Sequence, residues 1–163
     1  MDKNIKSLIM AAVFSSLTAV ATLVLRIPIG GGFINAGDGV IILSGVFLSP
    51  VFAFLSSAVG AVAADAISGF MIYAPATFLI KGLMALVVAL LMKNREITKR
   101  KMIFPAITAE LIMLIGYFIY EIFVFGISYA VVSATGDTVQ AVCGLLIAVF
   151  SAPSLARINI NRR

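Results

Sequence analysis

The sequence predicts an all-α membrane protein of six transmembrane helices, the second of them short, with both termini in the cytoplasm. Three observations lead there. Apolar residues make up 62% of the chain and charged residues only 12%, with a mean hydropathy of +1.16. A soluble domain is about a quarter charged, so the solvent of this chain is lipid. The apolar residues fall in long runs, and the basic residues sit at the ends of those runs, where lysine and arginine set orientation in a membrane. The net charge of +5 is therefore a topology signal and not a nucleic-acid footprint. A length of 163 residues predicts one domain, 1–163.

The elements follow in order. Ser7–Leu25 is a span of ordinary length. With Lys3 and Lys6 before it and Ala19-Val20-Ala21 near its end, it has some features of a signal peptide. Its apolar stretch is long for one, and it reads as a retained first helix. A second apolar block runs from Val40 to Met92, with breaks at Pro50 and around Ser68–Pro75. The one dense charge run, Lys93–Lys101, comes next, then Met102–Tyr129 and Thr138–Ala156, separated by Val131–Asp137.

Ten of the twelve basic residues (Lys3, Lys6, five in 93–101, Arg157, Arg162 and Arg163) belong on one side; Arg26 and Lys81 are the exceptions. The chain leaves that side by Arg26 and is back by Lys93, so it crosses an odd number of times between them. One crossing cannot absorb about fifty apolar residues. Three can, if Gly39–Ser49 is a short helix and Pro50–Gly69 and Pro75–Met92 span. Prolines at helix starts cost no hydrogen bond. Two more helices complete the six.

Four ionisable residues fall inside predicted spans: Asp65, Lys81, Glu110 and Glu121. Charges are costly at that depth and usually face the protein interior and carry function. Asp65 and Lys81 lie at matching depths and are expected to pair. Glu110, Tyr117 and Glu121 are spaced by seven and four, one stripe of a helix, with Tyr120 beside it. A carboxylate and two phenols suit a polar heterocycle; an aromatic belt at the membrane surface accounts for the tyrosines but not for Glu121. The glycine-rich loop Gly30–Gly39 faces outward and ends at a helix start, with Asp38 as the expected N-cap. It lacks the lysine-serine or lysine-threonine of a phosphate loop. On the first helix Ala11, Ser15 and Ala19 form a row of small residues that lets another helix approach closely.

Catalysis finds little support. The chain has no histidine and one cysteine, Cys143, so serine–histidine and cysteine–histidine machinery and histidine metal ligands are missing, and no metal or cofactor is expected. Ala36-Gly37-Asp38 shares a glycine-aspartate pair with aspartyl intramembrane proteases, but asparagine replaces the preceding glycine and Asp38 falls in a loop.

Several motifs in order carry a resemblance over nearly the whole chain: Phe33–Gly39, Ala64–Phe70, Tyr73–Thr77 with Lys81-Gly82, and Gly116–Glu121. The chain resembles the substrate-binding S component of energy-coupling factor (ECF) vitamin transporters, in the riboflavin-type or hydroxymethylpyrimidine/pyridoxine-type branch. The resemblance implies a multi-pass protein of the bacterial inner or plasma membrane that captures a vitamin near the outer face. It implies a first loop acting as a lid, a membrane-embedded coupling subunit docked on Ala11, Ser15 and Ala19, and two cytoplasmic ATPases. The residues expected to contact the vitamin are Asn35, Asp38, Tyr73, Thr77, Lys81, Tyr117, Tyr120, Glu121 and Gln140. The basic signature of a riboflavin site is not evident, and a Glu121–tyrosine site suits a small cationic or hydroxylated ring such as pyridoxine, pyridoxamine or hydroxymethylpyrimidine. A riboflavin-specific S component and an autonomous small carrier or channel are the alternatives.

Overall fold

The computed structural model describes residues 3–24, 26–29 and 32–157. Among these residues six helices follow one another: α1 Lys3–Val24, α2 Gly37–Phe47, α3 Pro50–Ser68, α4 Ala74–Leu91, α5 Lys99–Phe125 and α6 Ile127–Arg157. Five are long and apolar enough to cross a membrane, and α2, at 11 residues, is the short one. The protein is thus a multi-pass membrane protein. The segment read as a plain loop contains a hairpin: β1 Arg26–Ile29 pairs antiparallel with β2 Gly32–Asn35, Arg26 opposite Asn35 and Ile29 opposite Gly32. Gly30, Gly31, Arg162 and Arg163 lie outside the described residues.

Local chemistry sets the helix ends. Pro50 and Pro75 sit in the first turns of α3 and α4, where the absent N–H has no intrahelical partner to lose. Gly69 closes α3 in the left-handed region, φ 81°, a conformation that costs glycine little. Thr98 caps α5, its side chain accepting from the Lys101 N–H. The turn between the last two helices is not Val131–Asp137 as expected. It is Gly126 alone, φ 90°, and the polar residues after it belong to α6. Ser133 and Asp137 interrupt the apolar run because they face the protein interior, so their polarity reads as a loop when only sequence is considered.

The short helix is the centre of the molecule. Ten of its eleven residues are buried, and it touches each of the other five helices. Gly39 and Gly45 make this possible. A Cβ on Gly39 would meet Ile147 of α6, and one on Gly45 would lie 2.6 Å from the Ala85 carbonyl of α4. Ile41, Ile42, Met84, Val88, Met102 and Met113 fill the core around it. The outer surface is apolar instead of polar, with Leu8, Val51, Leu79, Ile115 and Phe123 exposed, as lipid contact requires.

The small-residue row on α1 is turned inward more than expected. Ala11 is buried, Ser15 and Ala19 are half-buried, and the outermost small residues are Ala12 and Ser16. The Ser15 carbonyl lies against Gly60 of α3, where any Cβ would collide with it. Ser15 thus takes part in the α1–α3 contact inside this chain.

Candidate functional site

Successive helices alternate in direction, so the C-terminal ends of α1, α3 and α5 and the N-terminal ends of α2, α4 and α6 gather at one end of the bundle. A cavity of ≈ 100 Å³ opens there. Its walls are helical stripes. Tyr73, Thr77 and Lys81 come from α4 and the turn before it, Tyr117 and Glu121 from α5, and Tyr129, Ser133, Asp137 and Gln140 from α6. Each set is spaced by three or four residues, which stacks its members on one helix face. Ala61 and Asp65 of α3, Ile41 of α2, Thr22 of α1, Phe70 and Asn35 complete the lining.

The floor is a hydrogen-bonded relay. Lys81 Nζ donates to Asp38 Oδ1 at 2.5 Å, and the Gln140 amide donates to Asp38 Oδ2 at 2.6 Å. Gln140 Oε1 accepts from both the backbone N–H of Asn35, 3.1 Å, and its side-chain amide, 2.9 Å. Asn35 Oδ1 in turn accepts from the Gly37 N–H at 2.8 Å. Four side chains on four elements thus tie the end of the hairpin to the middle of α4. Asp38 is fully buried and Lys81 is 5% exposed, so each depends on the other for charge balance.

This corrects two expectations. Lys81 pairs with Asp38, not with Asp65. Asp38 does not cap α2 either: Ala36 is the N-cap residue and makes no side-chain cap bond, while Asn35 satisfies the first helical N–H. The cause is depth. Asp38, second in α2, meets Lys81, eighth in α4, so α2 begins roughly 10 Å below the start of α4, at about 1.5 Å per residue. Asp65 lines the cavity instead, and its Oδ2 has no hydrogen-bond partner among the described residues.

The upper wall is aromatic and acidic. The Tyr73 ring lies 6.2 Å from that of Tyr117, 5.7 Å from Tyr120 and 5.6 Å from Phe125, separations at which aromatic pairs attract. Tyr73 donates to Glu121 Oε1 at 3.0 Å, and Ser133 donates to the same oxygen at 2.8 Å. Burial, with the Tyr129 hydroxyl and the Glu121 carboxylate, holds the Tyr73 phenol above its ordinary pKa range, so it remains a donor. Glu121 Oε2 has no hydrogen-bond partner among the described residues. Thr77 and Tyr117 share a hydrogen bond of 3.0 Å, and the Lys81 ammonium lies 5.2 Å from the Tyr117 ring, within cation–π range.

Seven of the nine residues expected at the site line the cavity: Asn35, Tyr73, Thr77, Lys81, Tyr117, Glu121 and Gln140. Asp38 stands behind Lys81. Tyr120 stands outside, its hydroxyl bonded to the Ile72 carbonyl. Glu110 lies deeper, 4% exposed, where the missing side chain of Gly144 leaves room for its carboxylate. Sequence reasoning missed Ser133, Asp137 and Tyr129 as lining residues. Their spacing of four was the available signal.

Fold and cavity define a class: a polytopic membrane protein built around a small polar chamber open at one end. The chain matches the family described as the S component of ECF-type riboflavin transporters over residues 2–157, and it belongs to that family. A protein of Pyrococcus woesei described as an uncharacterized protein in the gap 3′ region is 32% identical over 130 residues, which is 78% of this chain and 86% of that protein. The family is a transport component. Its members partner with a membrane-embedded coupling subunit and ATPases and serve vitamin uptake.

Proposed function

We propose that this chain captures a single-ring, water-soluble vitamin or vitamin precursor (pyridoxine, pyridoxamine or hydroxymethylpyrimidine) for ATP-driven uptake by its partner subunits. The chamber carries this reading: it combines stacking surfaces from tyrosines with hydroxyl, amide, carboxylate and ammonium groups directed at one small volume. Ligand sites of drug size are about 300–1,000 Å³, and a cavity of ≈ 100 Å³ favours one ring over three. Asn35, Tyr73, Thr77, Lys81, Tyr117, Glu121 and Gln140 are the proposed contacts, with Asp38 holding Lys81 and Gln140 in place. The 26–35 hairpin, fastened through Asn35, acts as the cover.

Riboflavin is the second reading, supported by the description of the family. One experiment separates them. The protein is purified in mild detergent, the small molecules it retains are identified by mass spectrometry, and each vitamin is titrated calorimetrically. Retention of a pyridine or pyrimidine is the expected result, and retention of riboflavin alone would replace the first reading by the second.

The coupling subunit is proposed to dock on the open side of α1. That helix is the least buried of the spans. Ala12 and Ser16 are exposed there beside the half-buried Ser15 and Ala19, so a partner helix can come close.

A further inference from the structure

We infer that the chamber recognises positive charge: it seats a protonated amine against Glu121 and Asp137, with the acceptor edge of the same ring turned toward Lys81. The inference rests on the chamber being the vitamin site and goes further by naming the charge class of its ligand.

Charge distribution is the first observation. Three carboxylates line the chamber, Asp65, Glu121 and Asp137, against one ammonium, Lys81. That ammonium is already committed to Asp38, which leaves the three lining carboxylates without a basic side chain among the described residues of the lining. The second observation is independent of the count. Glu121 is 3% exposed and lines the chamber, yet only one of its oxygens is used: Oε1 accepts from Tyr73 and Ser133, while Oε2 has no hydrogen-bond partner among the described residues. A buried carboxylate oxygen left without a donor is costly, and a ligand N–H⁺ is the group that supplies one, through a charge-assisted bond. Asp137 stands four residues beyond Ser133 on the same face of α6 and lines the same chamber as Glu121. The rings of Tyr73 and Tyr129 flank this acidic edge, and tyrosine faces attract cations.

The floor has the opposite character. Lys81 keeps donor capacity beyond the one bond it gives Asp38, so it suits a ring oxygen or an unprotonated ring nitrogen. A ring with a cationic arm at one end and an acceptor at the other meets both edges at once with a charge-assisted bond to Glu121, whereas a neutral hydroxylated ring offers that carboxylate only a weaker, uncharged donor.

The matched probes are pyridoxamine, whose aminomethyl group is protonated at neutral pH, and pyridoxine, which carries a hydroxymethyl in its place. Both are titrated calorimetrically into the detergent-purified protein and into Glu121→Gln and Asp137→Asn, with helix content checked by circular dichroism. Pyridoxamine is expected to bind about tenfold or more tighter than pyridoxine. That advantage should collapse in Glu121→Gln and shrink in Asp137→Asn. Equal affinity, a preference for pyridoxine, an advantage that survives Glu121→Gln, or no binding of either ring overturns the inference. The reading of the chamber is judged separately by Thr77→Phe, which fills it. If that variant still retains the molecule that co-purifies with wild type, the vitamin site lies elsewhere. If it loses it while pyridoxamine shows no advantage, the site stands and only the charge class is wrong.

Discussion

Asp38 decides most of the chemistry at the floor of the chamber, and nothing near it in the sequence announces this. It follows a glycine-rich stretch at a helix start, the setting of an N-cap. Depth counted from helix ends assigned Lys81 to Asp65 because that count takes all helices to begin level, and α2 begins deeper. The corrected pair gives a direct test. Removing one partner of a buried ion pair costs about 3–5 kcal/mol, because the other charge is left unpaired. Asp38→Asn and Lys81→Met should each lower the melting temperature in detergent, and the double variant should recover part of the loss. Asp65→Asn combined with Lys81→Met should show nearly additive losses; strong coupling there would restore the Asp65 pairing. Tyr117→Phe belongs to the same scale. It removes the bond to Thr77, about 1 kcal/mol, but keeps the ring face, so vitamin affinity should fall by less than tenfold on calorimetric titration.

At the scale of elements, the order and number of helices were legible because hydropathy and basic flanks report directly on lipid and topology. What was not legible is where apolar pattern and interior polarity conflict. Ser133 and Asp137 suggest a turn to any reader of local composition, yet they are interior positions of α6, and the real turn is the single glycine at 126. The hairpin is similarly hidden, since a glycine-rich segment of this length is compatible with loop or strand. Its attachment through Asn35 predicts a kinetic effect. Asn35→Ala removes one of the two donors to Gln140 Oε1, the side-chain amide, and leaves the backbone N–H. Ligand release measured by stopped flow should therefore speed up several-fold, while helix content stays constant. The α1–α3 contact gives a stability test. Gly60→Leu places a side chain where the Ser15 carbonyl already sits, and overpacking of this kind costs about 1–3 kcal/mol. A fall in melting temperature is expected. An unchanged melting temperature would mean that α1 is not seated on α3 and that the Ala11, Ser15 and Ala19 row is free for a partner.

At the scale of the whole molecule, the seven predicted lining residues come from four stretches of sequence far apart in the chain. They were nameable because each carries a group that lipid would not tolerate. The resemblance to a known family rested on motifs that contain Asn35, Tyr73, Thr77, Lys81, Tyr117 and Glu121. Orientation is the remaining global property, and ten basic residues carry it together. Reporter fusions after residue 96 and at the C-terminus should both report cytoplasm, which places the open end of the chamber outside. An extracellular signal at either point would invert the bundle and direct the chamber inward.

The chain has four tyrosines and no tryptophan. Three of the tyrosines line the chamber and the ring of the fourth, Tyr120, lies 5.7 Å from that of Tyr73. Its ultraviolet emission therefore originates from one place. Most membrane proteins need an added label before a titration can be followed optically, because emitters are scattered through the belt and report on lipid as much as on ligand. Here every emitter is within one ring of the occupant. An aromatic vitamin that enters should quench nearly the whole signal, and the unlabelled protein becomes its own optical sensor.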